Sequence, residues 1–433
     1  MTATALRVRL TSTLRRPDAS DTGRALPLLD PAGPTVCLGS AAGIEGLAIP
    51  VQPSAATMFG PRGACLLAAD GPLWVCDTGH HRLLGWARRP EHDQQGADWL
   101  IGQPDFGREG RNAKGPVSGA TLNVPTGIAV CGPSDARGHD GAARGQGDTA
   151  RRYDDAAHGS GLAVADAWNH RVLIWHRAPQ GSQVAPDVVL GQADFASALA
   201  NRGADTPTAA SLFWPYGVHW DGQRLWVADS GNRRVLMWQG LPSRSGQPAD
   251  LMLGQSSFQC RDENGGGEPC AASLRWPHAV ATWRDRLCIA DAGNNRVMVW
   301  DRVPGHDNAP CDHVLGQADF AKVDNNQSLY WPNAASLNMP YGLSAAGDWL
   351  VVADTANSRL IGWHADDCRT GAAARALAAQ PDFGAKGDNR WQAAERDSVC
   401  WPYGVAACGE QVVVADSGNN RVLLWRLAAG VGA

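Results

Sequence analysis

An all-β fold, a six-bladed β-propeller of four-stranded antiparallel blades, is what this 433-residue sequence predicts, and three observations predict it. The first is a hairpin repeat. Residues 225–238 read LWVADSGNRRVLMW, and the same order of apolar run, Asp, short linker, Arg, apolar run and Trp recurs at 73–86, 162–175, 287–300, 350–363 and 412–425. The second is spacing. The repeat aspartates, Asp77, Asp166, Asp229, Asp291, Asp354 and Asp416, lie at intervals of 89, 63, 62, 63 and 62 residues, and a fixed period of this kind signals a repeat architecture. The third is that each apolar run is four or five residues long and unbroken. That length suits a strand, and unbroken apolarity suits a sheet buried on both faces. Blades of a propeller bury their sheets in this way against their neighbours.

Taken in order, residues 1–33 mix Arg, Asp, Pro and Ser without periodicity and read as an extended N-terminal arm. The propeller itself is assigned to residues 34–433. Residues 35–40 resemble a segment that follows each of the first five hairpins, as LIGQPDF, VLGQADF, MLGQSSF, VLGQADF and LAAQPDF, and is absent after the sixth. That segment reads as the outer strand of its blade. Residues 34–40 are therefore expected to complete the last blade, closing the ring and removing an exposed sheet edge. The segment holds five of the seven Phe residues, which suggests anchors between blades.

Upstream of each hairpin a Pro-x-Gly motif (Pro-x-Ala in the fourth copy) precedes a short apolar run. Proline has no amide to donate, so it suits the first residue of an innermost strand. Connections from outer to inner strand run 16 to 20 residues, and each carries an Asn nine residues past the Gln: Asn112, Asn201, Asn264, Asn326 and Asn389. These are expected to bond their own loop backbone. Residues 131–161, rich in Gly, Asp, Arg and Ala, account for the long interval and read as a flexible insertion in blade 2.

Composition limits the functional classes. A net charge of −5 gives no bulk attraction to nucleic acid or an anionic membrane. The N-terminal residues lack the apolar core of a secretory signal, and no apolar run has the length of a membrane-spanning helix. The eleven cysteines form no Cys-x-x-Cys pair, and several, such as Cys76 and Cys288, fall inside strand patterns. They read as reduced core residues of a cytoplasmic protein. Cys260 and Cys270 flank a Gly-rich loop and could pair with each other.

The candidate functional residues separate by how uniformly they repeat. The pairs Asp77/Arg82, Asp166/Arg171, Asp229/Arg234, Asp291/Arg296, Asp354/Arg359 and Asp416/Arg421 occur in every hairpin. Six identical copies argue for structure, with each carboxylate accepting turn amides and pairing with its arginine. Trp86, Trp175, Trp238, Trp300, Trp363 and Trp425, one per blade, read as packing. The residue between Pro and Gly differs instead from blade to blade: Arg62, Thr126, Tyr216, His278, Tyr341 and Tyr403. With Trp214, Trp276 and Trp401, which precede three of the prolines, these side chains are expected at the mouth of the central channel. They would form a concave aromatic site with one Arg and one His.

The hairpin with Pro-x-Gly upstream resembles the NHL-repeat β-propellers of the six-bladed, long-repeat bacterial type, over residues 34 to 425. The resemblance implies fold more firmly than function. Bacterial proteins with the longer Leu-Gly-Gln-x-Asp-Phe repeat look like accessory factors, some linked to assembly of metalloenzymes such as hydrogenases. Other six-bladed relatives are lyases and lactonases with an axial metal, and NHL propellers of animal regulators bind single-stranded RNA. An axial metal needs several His, Asp or Glu at the axis. Here His278 stands alone there, with His80 and His81 on the blade 1 turn. The expected function is a non-catalytic, cytoplasmic scaffold that binds a protein or peptide on the long-loop face. No catalytic residue, metal or cofactor is assigned. The alternatives are a metal-dependent lyase or hydrolase at the channel and a single-stranded RNA binder.

Overall fold

The computed structural model describes residues 25–39, 52–132 and 159–431. Each repeat builds one antiparallel sheet of four strands, ordered from the axis outward as in the chain. Blade 3 shows the plan: Pro215–Trp220 is innermost, Arg224–Asp229 and Arg234–Gln239 form the hairpin, and Leu251–Leu253 is the outer strand. The hairpin strands are buried along nearly their whole length, because both faces of every blade meet a neighbour. Six apolar clusters result, each made by two adjacent blades. No helix of the described residues is long and apolar enough to cross a membrane.

Closure follows the expectation. Val36–Gly39 pairs antiparallel with Arg421–Arg426, Val36 opposite Leu424 and Leu38 opposite Val422, and supplies the fourth strand of blade 6. The replacement extends to side-chain detail. In blades 1 to 5 the Trp that ends the third strand donates its indole N–H to the carbonyl nine residues on, as in Trp238 to Gln247 at 3.0 Å. In blade 6 Trp425 donates instead to Asp30 at 2.8 Å. The described part of the arm is extended and attached. Leu26–Pro27 adds a fifth, parallel strand to blade 5, and Leu28 and Leu29 are buried between blades 5 and 6. Arg396 ties the seam, donating to Asp93 and to the carbonyls of Pro34 and Thr35.

Most of the insertion lies outside the described residues; its flanks, Cys131 and Gly161, sit opposite each other at the end of the first strand pair. None of the eleven cysteines forms a disulfide, Cys260 and Cys270 included.

Candidate binding face and channel mouth

Four antiparallel strands bring the hairpin turns and the outer-to-inner connections to one face. The turns are held from below by the repeat pairs. In blade 3 Asp229 accepts from Arg234 Nε at 2.8 Å, Asn232 Nδ2 at 2.8 Å and the Phe213 amide at 2.7 Å. Arg234 spends its remaining donors on the carbonyls of Phe258, Thr208 and Ser211. The other blades repeat this plan, with His80 in place of the Asn in blade 1 and no Phe carbonyl bound by the arginine of blade 6. Arg82 holds Asp77 and the carbonyls of Phe106, Ser54 and Thr57. Arg171 holds Asp166 and the carbonyls of Phe195, Ser118 and Thr121. Arg359 holds Asp354 and the carbonyls of Phe383, Asn333 and Ser336. Arg296 with Asp291 and Arg421 with Asp416 complete the set.

The structure thus agrees with the structural reading of these pairs, since none of them is accessible. Arg82, Arg171, Arg234, Arg296 and Arg359 have zero exposure, Arg421 has 1%, and all six aspartates have zero. None can reach a ligand at the surface or in the channel, because each guanidinium is buried against its own aspartate and backbone carbonyls; Arg421 alone leaves a nitrogen, Nη1, without a partner. One detail is corrected: the amide each carboxylate accepts comes from the chain entering the inner strand and not from the turn itself.

The loop asparagines also depart from expectation. Their side chains do not bond their own loop backbone. Each pairs with the Asn of the next hairpin turn: Asn112 with Asn169, Asn201 with Asn232, Asn264 with Asn294, Asn326 with Asn357 and Asn389 with Asn419. Each amide pair links two blades. The partners were visible as an Asn three residues after each repeat Asp, absent only where His80 stands. His80 bonds Asp77 at 2.8 Å in place of that Asn. No group of three or more potential metal ligands occurs among the described residues.

The residue before each proline is positioned by the preceding blade. Val124, Trp214, Met339 and Trp401 adopt left-handed backbone, with φ between 49° and 57°, a costly conformation for residues other than glycine. The last residue of the preceding hairpin turn accepts their amide: His81 Nδ1 for Val124, His170 Nδ1 for Trp214, Asn295 for Met339 and Ser358 for Trp401. Blade 4 is the exception. Arg233 occupies the turn position and has no acceptor to offer. The Trp276 amide falls back on Asp291 at 3.3 Å, and Trp276 is not left-handed. An imidazole that accepts through Nδ1 must be neutral there. Burial holds His81 below its usual value and brings His170 down to about 4.

The glycine of the Pro-x-Gly motif sets how tightly the inner strands meet. A Cβ on Gly217 would lie 2.2 Å from the His278 carbonyl, and one on Gly404 2.4 Å from that of Arg62. Side chains at the x position are thereby drawn together around the axis. Tyr216 stacks on His278 at 4.8 Å, His278 on Tyr341 at 4.2 Å, and Tyr341 lies 4.4 Å from Tyr403. The Arg62 guanidinium stands 4.5 Å from the centre of the Tyr403 ring, and Thr126 turns its hydroxyl to the Tyr216 carbonyl at 2.8 Å. His278 donates from Nδ1 to the Trp276 carbonyl, 3.0 Å away, so the proton of the neutral ring sits on that nitrogen. Burial brings this histidine down to about 4 and pushes the Tyr341 hydroxyl up.

All six x residues therefore meet at the mouth of a channel of about 620 Å³. They pack on one another as a stack and do not stand apart as an open cup. Trp214, Trp276 and Trp401 do not line the channel; they stand on the rim with 37%, 42% and 39% of their surface exposed. The sequence reading missed their companions. Phe59, Trp168, Leu199, Leu329, Tyr330 and Trp391 are also exposed in the turns and connections of this face. Among the described residues, nine of the eleven exposed large apolar side chains thus lie there.

Six four-stranded blades closed into a ring make this chain a six-bladed β-propeller. No family model matches it, and no curated protein matches it. Among solved structures it is similar to the WD40 β-propeller domain of Doa1, at 10% identity and a TM-score of 0.43, over 93% of this chain and 99% of that one. It is similar to hydrazine synthase of Kuenenia stuttgartiensis, at 11% identity and a TM-score of 0.45, over 90% and 99%. The RRP9 WD40 repeats give 11% identity and a TM-score of 0.42, over 92% and 99%. Likeness at this level carries no functional argument, and the assignment of class rests on the strand pairing itself.

Proposed function

We propose that this chain is an NHL-type propeller acting as a non-catalytic scaffold, which binds a protein or peptide on the face that carries the hairpin turns and long connections. The observation that carries this reading is the gathering of exposed aromatic and aliphatic side chains on that one face, above a uniform buried framework. Large exposed apolar groups gathered on one face mark interaction surfaces, and Trp and Tyr make good anchors because few rotamers are frozen. The cysteines, many of them buried and none in a disulfide, suit a reducing, cytoplasmic setting. By the NHL resemblance, the partner would be a metalloenzyme under assembly, such as a hydrogenase.

The test is a rim variant, Trp214→Ala with Trp276→Ala and Trp401→Ala. Each indole exposes about two fifths of its surface, roughly 100 Å², and burying that area is worth about 2 kcal/mol. Proteins captured from the native host by wild type should be lost by the variant, while its melting temperature changes little. Undiminished capture by a folded variant would remove the rim from the binding surface.

A further inference from the structure

The channel is electrically polar along its axis. Three of its lining residues carry a formal charge: Arg62 at the long-loop mouth, and Asp348 and Glu410 at the opposite end, where the inner strands of blades 5 and 6 turn back. Asp348 is engaged by Arg284 at 2.6 Å. Arg62 differs from the six hairpin arginines, each of which holds an aspartate and two or more backbone carbonyls. Among the described residues its side chain makes no ion pair and no hydrogen bond, and the face of Tyr403 lies against it. A half-buried guanidinium offers a planar fork of donors that matches a carboxylate in two-point contact. No acidic side chain of the described residues lines the mouth to fill that role.

The groups around Arg62 suit such a ligand. The ring of Tyr403 lies 4.4 Å from that of Tyr341 beside it. The Tyr341 hydroxyl donates to the Met339 sulfur at 3.8 Å, a weak acceptor that an anion would displace. Below the stack Ile128, Val218, Leu343 and Val405 form apolar stretches of the wall that fit a hydrocarbon body, between polar positions such as His219, Thr282 and Ser344.

We propose that the channel mouth is a carboxylate site, in which Arg62 takes the anion, the tyrosine hydroxyls flank it and the channel walls receive an apolar body. The carboxylate is that of a free organic acid or of a peptide C-terminus. This goes beyond the rim-binding reading: it concerns the axis and stands even where the rim tryptophans prove inert.

The test is calorimetric titration of the full chain with four probes: benzoate, benzamide, and acetyl-Ala-Phe with a free or an amidated C-terminus. Only the acids can form a two-point ion pair with Arg62, so at least one acid should bind about tenfold or more tightly than its amide. Preference for benzoate identifies a free acid as the source, and preference for the free-terminus peptide identifies a peptide end. Arg62→Gln should abolish the discrimination, and Arg62→Lys should retain part of it. Equal binding of acid and amide, binding of none of the four, or discrimination that survives in Arg62→Gln would each overturn the proposal. The wild-type contrast decides alone if the variants fail to fold.

Discussion

Replacing Asp291 by Ala tests whether the hairpin pairs are framework. In blade 4 this carboxylate accepts from Arg296 Nε at 2.9 Å, Asn294 Nδ2 at 2.7 Å, the Arg275 amide at 2.8 Å and the Trp276 amide at 3.3 Å. Asp291→Ala deprives all of these donors of their acceptor and leaves the Arg296 charge at zero exposure without a counter-ion. Breaking a buried ion pair from one side costs about 3–5 kcal/mol, a large part of a typical stability of roughly 5–15 kcal/mol. Arg296→Met should cost a similar amount, because the carbonyls of Phe320, Cys270 and Ser273 lose their donor as well. With both changes no unpaired charge remains, so the double loss should fall short of the sum by about 1–3 kcal/mol. Guanidinium denaturation followed by tryptophan fluorescence measures all three, with the buried Trp283 and Trp300 as local reporters. A loss below about 1 kcal/mol for Asp291→Ala, or strict additivity in the double variant, would refute the reasoning.

Two further outcomes are expected. Leu38, fully buried at the seam, should cost about 2–5 kcal/mol when changed to Ala, and hydrogen exchange should accelerate first in blade 6; uniform exchange across all blades would show that the seam is not the weak point. His170, with a folded-state value lowered from 6.5 to about 4, contributes stability that is fully present above pH 6.5 and lost as pH falls through about 4. His170→Asn keeps an acceptor for the Trp214 amide, as Asn295 does for Met339, and should flatten the melting profile over that window; an unchanged profile would assign the pH dependence elsewhere.

The ring was legible because each blade restates one solution. A buried Asp–Arg pair needs a fixed distance along two strands, so it stamps a period on the sequence, and the gap after the sixth hairpin revealed the closing strand. Features set by packing between blades were harder to read. Nothing local distinguishes Leu26–Pro27 as a strand, because its two residues pair with Ala376 and Leu377, far along the chain. The partner of Asn201 likewise depends on how blade 3 turns toward it, although the matching Asn232 repeats just as faithfully. That the x residues face the axis follows from the order of strands in a blade. Their stacking depends instead on the spacing of the inner strands, which the Pro-x-Gly glycines set. The rim was read only in part, since Trp168, Tyr330 and Trp391 sit at positions that do not recur as aromatics.

The clasp at blade 6 also imposes a timetable on biosynthesis. Thr35 and its partner Leu424 are separated by 389 residues. At a synthesis rate of roughly 5–20 residues per second, the amino-terminal strand leaves the ribosome about 20–80 s before its partner exists. Throughout that interval the apolar Val36 and Leu38 have no sheet to join, and five blades can assemble before the circle can be fastened. Pairings this distant in sequence are slow to form. The nascent chain is thus an open-ended stack with an unpaired edge until its final strand emerges, which makes the moments before fastening the period when a chaperone has most to do.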